Sequence, residues 1–101
     1  MDAPELFDHL GTSLFRKKQS SMFGIPCFKI GSRPFIMFYE NHLVCMLFDE
    51  AHAEAIGLEG ATLFNPKGNA KAMGNWVQIP FAHADQWERF AIVAHDVVAR
   101  M

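Results

Sequence analysis

Two runs of large apolar residues, separated by one short polar break, dominate residues 35–48 of the chain. Aromatic and β-branched residues make up much of both runs, which favours β-strands. The break contains Asn41, a residue that tolerates the positive φ of a tight turn. The pattern predicts a β-hairpin with either two or three residues in its loop. Both faces of this hairpin are apolar, so we expect cover on both sides of the sheet, or on one side plus a partner.

Further extended segments are predicted on either side of the hairpin. Ile25–Ile30 contains Pro26, which places it at a sheet edge or at the start of a strand. Thr62–Phe64 is a short candidate strand, and residues 76–79 alternate between apolar and polar positions. Residues 19–21 are polar and are interpreted as a linker. The sequence therefore predicts an antiparallel sheet of about five strands.

Helical spacing of apolar residues predicts a helix at the N-terminus and a short one in the middle of the chain. Asp2 and Pro4 favour a helix start, and residues 6–15 carry apolar side chains at helical spacing. Asp49 is predicted to cap the middle helix, which Gly57 would end.

A third helix is predicted at the C-terminus, where Asp85 and Glu88 resemble a capping box and the helix runs to about Arg100. Its predicted buried face comprises Trp87, Phe90, Ala91, Ala94, Val97, Val98 and Met101. Helices at both ends, with strands between them, are typical of a two-layer α+β fold.

Length and composition indicate one globular domain, residues 1–101. Half of the residues are hydrophobic, and the formal net charge is −2, which argues against a dedicated nucleic-acid-binding protein. No apolar run is long enough to span a membrane, and the first residues lack the basic-then-apolar pattern of a secretion signal. We therefore expect a cytoplasmic protein without nucleic-acid or membrane partners.

Candidate chemical groups are scattered along the sequence. None of the five histidines pairs with another at the i, i+4 spacing of a helical zinc site, so no metal site is expected. Cys27 and Cys45 lie in apolar runs and are interpreted as buried, free thiols rather than nucleophiles. No set of nucleophile, base and orienting group emerges, so we expect neither catalysis nor a cofactor.

Three further features admit both a structural and a binding interpretation. The cations of residues 16–18, with Lys29 and Arg33, are interpreted as solvated rather than as a phosphate-binding patch. Residues 65–74 lack the ending of a phosphate-binding loop and are predicted to be the most mobile internal segment. Trp76 and Trp87 are interpreted as core residues rather than as the lining of a ligand pocket.

Several of these segments together resemble the TfoX N-terminal domain family, and the resemblance covers nearly the whole chain. The resemblance rests on Met22-Phe23-Gly24, the Gly31 turn leading into Pro34-Phe35, the hairpin, the run from Met73 to Pro80 and the terminal helix. It implies a compact bacterial α+β domain without catalytic residues. In competence regulators this domain is followed by a second, helical domain, which we expect to be absent here. A more distant resemblance is to the YjbR-like proteins.

These observations favour a regulatory protein-interaction module, with a small-ligand-binding domain that uses the space under residues 65–74 as the alternative. The Met-Phe-Gly motif is interpreted structurally, with Met22 and Phe23 packed and Gly24 allowing a bulge or a close backbone approach. Two main helices can cover only one face of the sheet, so apolar hairpin side chains would be exposed on the other. We therefore expect a homodimer that buries this second face.

Overall fold

The computed structural model describes residues 1–66 and 73–101 of the protein, and these form an antiparallel sheet with helices packed on one face. The strands are β1 (Ser20–Met22), β2 (Ile25–Ile30), β3 (Arg33–Tyr39), β4 (His42–Met46), β5 (Thr62–Phe64) and β6 (Met73–Pro80). The helices are α1 (Ala3–His9), which continues into a π-helical turn (Leu10–Leu14), α2 (Asp49–Ile56) and α3 (Ala84–Ala99), which follows a 3-10 turn (Phe81–His83).

The strands are arranged in the order β1-β2-β3-β4-β6-β5. The predicted two-layer α+β fold with an antiparallel sheet is therefore confirmed, although the sheet has six strands rather than about five. The additional strand is β1, part of which was interpreted as a linker. Ser20 and Ser21 are exposed and give no apolar signal, because β1 lies at the sheet edge.

The predicted hairpin is formed by β3 and β4, and its loop has two residues. Glu40 and Asn41 have φ values of 47° and 61°, as a type I′ turn requires at both central positions. Tyr39 and His42 are the flanking pair, which resolves the alternative that the sequence left open.

The three predicted helix starts have different outcomes. α1 begins at the predicted place, and Asp2 is its N-cap, since the Asp2 side chain accepts a hydrogen bond of 2.9 Å from the backbone N–H of Glu5. Asp49 does not cap α2 but is its first residue, because the N-cap position belongs to Phe48. The capping box predicted at Asp85 is also wrong. α3 begins one residue earlier, and its start is defined by the preceding 3-10 turn.

A glycine in the π-helical turn allows the first helix to lie directly on the sheet. A Cβ atom on Gly11 would lie 2.0 Å from Cζ of Phe28, so the buried Phe28 ring occupies the space of a side chain. Phe7, one turn earlier, packs against the same ring at a centroid distance of 5.1 Å. The π-helical turn is therefore found where the helix backbone lies against the Phe28 side chain of the sheet.

The main hydrophobic core lies between the helices and one face of the sheet, and we call this side the helix face. The helices contribute Phe7, Leu10, Ala55, Trp87, Phe90, Ala91, Ala94 and Val98, and the sheet contributes Phe28, Phe35, Ile36, Leu43, Cys45, Val77 and Ile79. The predicted core role of Trp87 is confirmed, and its indole N–H donates to the Pro80 carbonyl at 3.1 Å. Met101 is exposed instead of buried, because α3 ends before it.

Candidate functional site

The opposite face of the sheet carries a second, smaller apolar cluster, and we call this side the cavity face. The cluster consists of Cys27, Met37, Val44, Phe64 and Trp76. Met37 and Val44 belong to the central hairpin, and both are buried within the single chain. The expectation that hairpin side chains are exposed on this face is therefore wrong.

A cavity of about 530 Å³ opens on the cavity face. Its described lining is formed by Met22, Phe23, Ile25, Met37, Phe64, Pro66 and Trp76. None of these side chains carries an ionisable group, and most of them contribute only carbon or sulfur atoms. Such a space favours an apolar occupant over a polar metabolite.

The sheet curves around this cavity. Met22 ends β1 and Phe64 ends β5, and these strands form opposite edges of the sheet. Strands lie about 4.8 Å apart, so the edges of a flat sheet of this size would be about 24 Å apart. A rounded cavity of this volume is only about 10 Å across, which is within the size range of ligand sites. Curvature therefore brings the two sheet edges to the same site.

Phe23 lies at the rim of the cavity and is the most exposed large apolar residue described, at 95%. It occupies the first position of the β1–β2 turn with φ 54°, and Gly24 follows with φ 78°. The expected packing of Phe23 is therefore wrong. The expected close approach at Gly24 is also wrong, because a Cβ there would meet nothing within 4 Å. The glycine is required for its positive φ.

Tyr39 contacts two of the lining residues, Phe64 and Pro66, on the side of β5. Its ring packs edge-on against Phe64 at a centroid distance of 5.3 Å, and its hydroxyl donates to the Pro66 carbonyl at 3.5 Å. These contacts fix the segment that leaves β5. The predicted mobility of residues 65–74 concerns mainly residues 67–72, which lie outside the described residues.

A second cavity of about 330 Å³ adjoins the first. Its described lining consists of Met22, Arg33, Pro34, Met46, Trp76, Val98 and Met101. Met22 and Trp76 line both cavities, so the two spaces are neighbours. Arg33 has the only charged side chain in this described lining. Trp76 is buried, as a core residue should be, but it also has the lining role that the core interpretation excluded.

Three histidines of the described region are engaged by backbone carbonyls. His52 Nε2 lies 2.7 Å from the Gly74 oxygen, His83 Nε2 lies 2.7 Å from the Glu59 oxygen, and His42 Nδ1 lies 2.6 Å from the Glu40 oxygen. Each of these nitrogens must therefore carry a proton and donate it. Across residues 1–66 and 73–101, no three His, Cys, Asp or Glu side chains converge as a metal-binding group.

Cys27 and Cys45 are both buried and free, as predicted. Burial raises the pKa of both thiols, and the nearby charge of Lys29 only partly offsets this for Cys27. A raised pKa disfavours the thiolate, which is the nucleophilic form. The two thiols also lie on different faces of the sheet, so they do not form a pair.

Residues 16–18, Lys29 and Arg33, which were considered as a phosphate-binding patch, lie in different surroundings. Residues 16–18 precede β1, Lys29 lies beside Cys27, and Arg33 borders the second cavity. No local sequence pattern indicated the cavity, because its described lining comes from five strands and their connections. A bulky aromatic residue directly before a glycine, in a two-residue turn, was the one available indication.

Comparisons with known proteins add no further assignment. No protein-family model, curated protein or solved structure matches the chain. Within the described residues, no helix is both long enough and apolar enough to cross a membrane.

Proposed function

We propose that this protein is a regulatory protein-interaction module, of the kind implied by its resemblance to the TfoX N-terminal domain. The cavity beside Phe23 is proposed to receive an apolar side chain of the partner. The single observation that carries this proposal is the position of Phe23, a fully exposed aromatic residue at the rim of an apolar cavity. A cytoplasmic location and the absence of catalysis are parts of the same proposal.

The backbone at Phe23 supports a binding role. A bulky residue with positive φ costs roughly 1–2 kcal/mol, and asparagine or glycine normally occupies this turn position. In the single chain the exposed Phe23 ring recovers little of this cost by burial. Buried aromatic residues dominate the energy of many protein interfaces, so a partner that covers the ring would provide the missing compensation.

The chemistry of the cavity also supports binding rather than a reaction. Its described lining contains no titratable group that could transfer a proton or attack a substrate. An apolar side chain gains free energy from leaving water in such a space, by about 1.5–3 kcal/mol for a leucine- or phenylalanine-sized group.

The proposal is tested by affinity capture from the native cell with a matched pair of surface variants. Phe23→Asn removes the exposed ring and suits the turn, whereas Ile92→Asn removes an exposed apolar residue from α3. We expect a partner to be captured by the wild type and by Ile92→Asn but lost with Phe23→Asn. Capture of the same proteins by all three chains would overturn the proposal.

A small apolar ligand is the second candidate for the same cavity. The volume of about 530 Å³ lies within the range of about 300–1,000 Å³ that is common for ligand sites. Native mass spectrometry of the purified protein tests this candidate. A bound mass that disappears in an Ile25→Trp variant, which fills the cavity, would favour the ligand over a protein partner.

A homodimer also remains a proposal, but its interface would be formed around Phe23 instead of the hairpin side chains. The buried hairpin side chains Met37 and Val44 are not available to a second copy, whereas Phe23 is exposed. Light scattering during gel filtration distinguishes the outcomes. A mass of twice 11.4 kDa that falls to one chain in Phe23→Asn would identify the partner as a second copy.

A further inference from the structure

Three methionines from separate parts of the chain border the second cavity. Met22 ends β1, Met46 ends β4, and Met101 follows α3. Methionine has an unbranched, flexible side chain with a polarisable sulfur, so thioethers that border one space of about 330 Å³ can turn toward its centre. The second cavity therefore offers three neutral sulfur ligands to one guest.

We propose that the second cavity binds a soft monovalent metal ion, Cu(I) or Ag(I), through the thioethers of Met22, Met46 and Met101 and beside the ring of Trp76. Thioethers are soft ligands, and they select such ions over Mg²⁺ and Ca²⁺, which prefer oxygen. This inference goes beyond the proposed function, because it needs neither Phe23 nor a protein partner.

Met46 and Trp76 form the side of the site that belongs to the sheet. They are directly opposite one another in the pair of β4 and β6, so both side chains leave the sheet on the same face, with Cβ atoms about 4.5–5.5 Å apart. Trp76 is buried, whereas Met46 is partly buried and packs against the apolar clusters of both faces. An ion bound to the Met46 sulfur therefore lies within reach of the indole ring, and tryptophan attracts cations better than any other aromatic residue.

The end of α3 brings Met101 to the same cavity. The backbone N–H of Met101 donates to the Val98 carbonyl at 3.1 Å, so Met101 continues the turn at which α3 ends. Residues three apart lie on one side of a helical turn, and Val98 also borders the cavity. Val98 is buried, but Met101 is 54% exposed, so its thioether has room to change rotamer. Met101 can thus close over an ion that Met46 holds from the sheet.

The rest of the described lining selects the class of ion. It consists of Arg33, Pro34 and Val98, and none of these side chains supplies a carboxylate, an imidazole or a thiolate. Zn²⁺ is held in proteins by such groups, so the cavity does not suit it. The charge of Arg33 opposes every cation, but it opposes a monovalent ion less than a divalent one. Ligand type and charge therefore both favour a soft monovalent ion.

Silver(I) is the probe for the test, because it is a soft ion like Cu(I) and does not change its oxidation state in air. The full chain is titrated with silver nitrate in a buffer free of chloride and thiols, and native mass spectrometry counts the bound ions. Tryptophan fluorescence follows the same titration. We expect a single Ag⁺ per chain and quenching that disappears in Trp76→Phe, because Trp87 is buried on the helix face and gives only a constant background. Zn²⁺ at the same concentration should not bind.

Methionine-to-leucine variants assign the ligands, since this exchange removes the sulfur and nearly conserves the volume. Loss of a residue that only orients a ligand costs about 10–100-fold in metal affinity, so Met22→Leu, Met46→Leu and Met101→Leu should each cost at least about tenfold. Met37→Leu is the matched control and should change nothing, because Met37 borders only the first cavity. Arg33→Gln should tighten binding by up to about fivefold, because it removes a like charge.

The thiols of Cys27 and Cys45 are the competing sulfur ligands, although both are fully buried. Cys27→Ala and Cys45→Ala should leave Ag⁺ binding unchanged. Binding that survives all three leucine exchanges at the cavity, or that is lost with a cysteine, overturns the inference. Equally tight Zn²⁺ binding, or weaker Ag⁺ binding in Arg33→Gln, overturns it as well. Phe23→Asn should leave Ag⁺ binding unchanged while it abolishes partner capture, so failure of this inference is distinguishable from failure of the proposed function.

Discussion

The two faces of the sheet are built from alternate residues of the same strands, yet they are packed in different ways. On the helix face, side chains from α1, α2 and α3 fill the space above the sheet, and Trp87 and Phe90 are fully buried. On the cavity face, a cluster of five buried residues leaves a space of about 530 Å³, and three of the five, Met37, Phe64 and Trp76, line it. The helix face is thus the main source of stability, and the cavity face is the part of the molecule suited to recognition.

Geometry explains the difference. A helix brings new side chains into a core, whereas the concave side of a curved sheet is covered in the described region mainly by the sheet's own edges. Met22 and Phe64 reach the cavity from these edges but do not fill it. Natural interiors are otherwise close-packed, so an apolar space of this size needs an explanation such as binding.

The largest expected effect comes from replacing one phenylalanine with alanine on each face and comparing the losses of stability. Phe90→Ala on the helix face should lower the free energy of unfolding by about 3–5 kcal/mol, because it leaves a cavity in a filled core. Phe64→Ala on the cavity face should cost only about 2–3 kcal/mol, because part of the Phe64 ring already borders empty space. Urea unfolding measures both, and equal losses would show that the two faces are equally well packed.

The close approach at Gly11 provides a second test of the helix face. Gly11→Ala should destabilise the protein by about 1–3 kcal/mol, since the new methyl group must displace the buried Phe28 ring. This sign is opposite to that of helix propensity, which favours alanine by about 1 kcal/mol. Ser13→Ala, at an exposed position of the same π-helical turn, is the matched control. A Gly11→Ala chain that melts at or above the wild-type temperature would disprove close packing here.

Phe23 tests whether the cavity face sacrifices stability for recognition. Phe23→Asn should raise the free energy of unfolding by about 1 kcal/mol, because asparagine adopts the required positive φ more readily. Thermal unfolding at fixed pH measures the change. A loss of stability would mean that the exposed ring contributes to folding, and the binding role would then lose its energetic argument.

The smallest expected effect concerns pH and His95 on the helix face. Its ring stacks on Phe15 at 4.7 Å and meets Phe35 edge-on at 4.9 Å. Burial lowers the pKa of His95, the charge of Lys17 lowers it further, and Asp96 opposes these effects. The unfolded chain therefore takes up this proton first, and stability is lost as the pH falls below the ordinary value of about 6.5.

His95→Phe keeps an aromatic ring against Phe15 but cannot be protonated. Its stability should therefore fall less than that of the wild type between pH 7.5 and pH 5.5 in parallel urea titrations. Identical pH profiles for the two chains would show that protonation of His95 does not oppose folding.

Much of the fold was predictable because it follows local patterns. The two apolar runs correctly predicted the β3–β4 hairpin. Helical periodicity correctly predicted that Trp87 and Phe90 of α3 are buried. Elements without such a pattern were missed or misplaced. β1 carries exposed serines, and the start of α3 is determined by a 3-10 turn rather than by the side chain of Asp85.

The candidate site was not predictable, because it depends on long-range geometry. Phe64 and Trp76 lie on the paired strands β5 and β6, whereas Met22 comes from the opposite edge and borders the same cavity because the sheet curves. A strand pattern can predict which face of the sheet each of these apolar residues lies on. It cannot distinguish a residue that fills a core from one that borders a cavity. Phe23 illustrates the same limit, since its exposure follows from the turn rather than from its hydrophobicity.

The curvature of the sheet also affects the rate at which the site can be occupied. β1 and β5 bound the same cavity but belong to opposite edges, with no strand pairing between them. A change in the bend of the sheet would therefore change the width of the cavity. A ligand that required the cavity to widen would associate more slowly than one that fits the space as it stands.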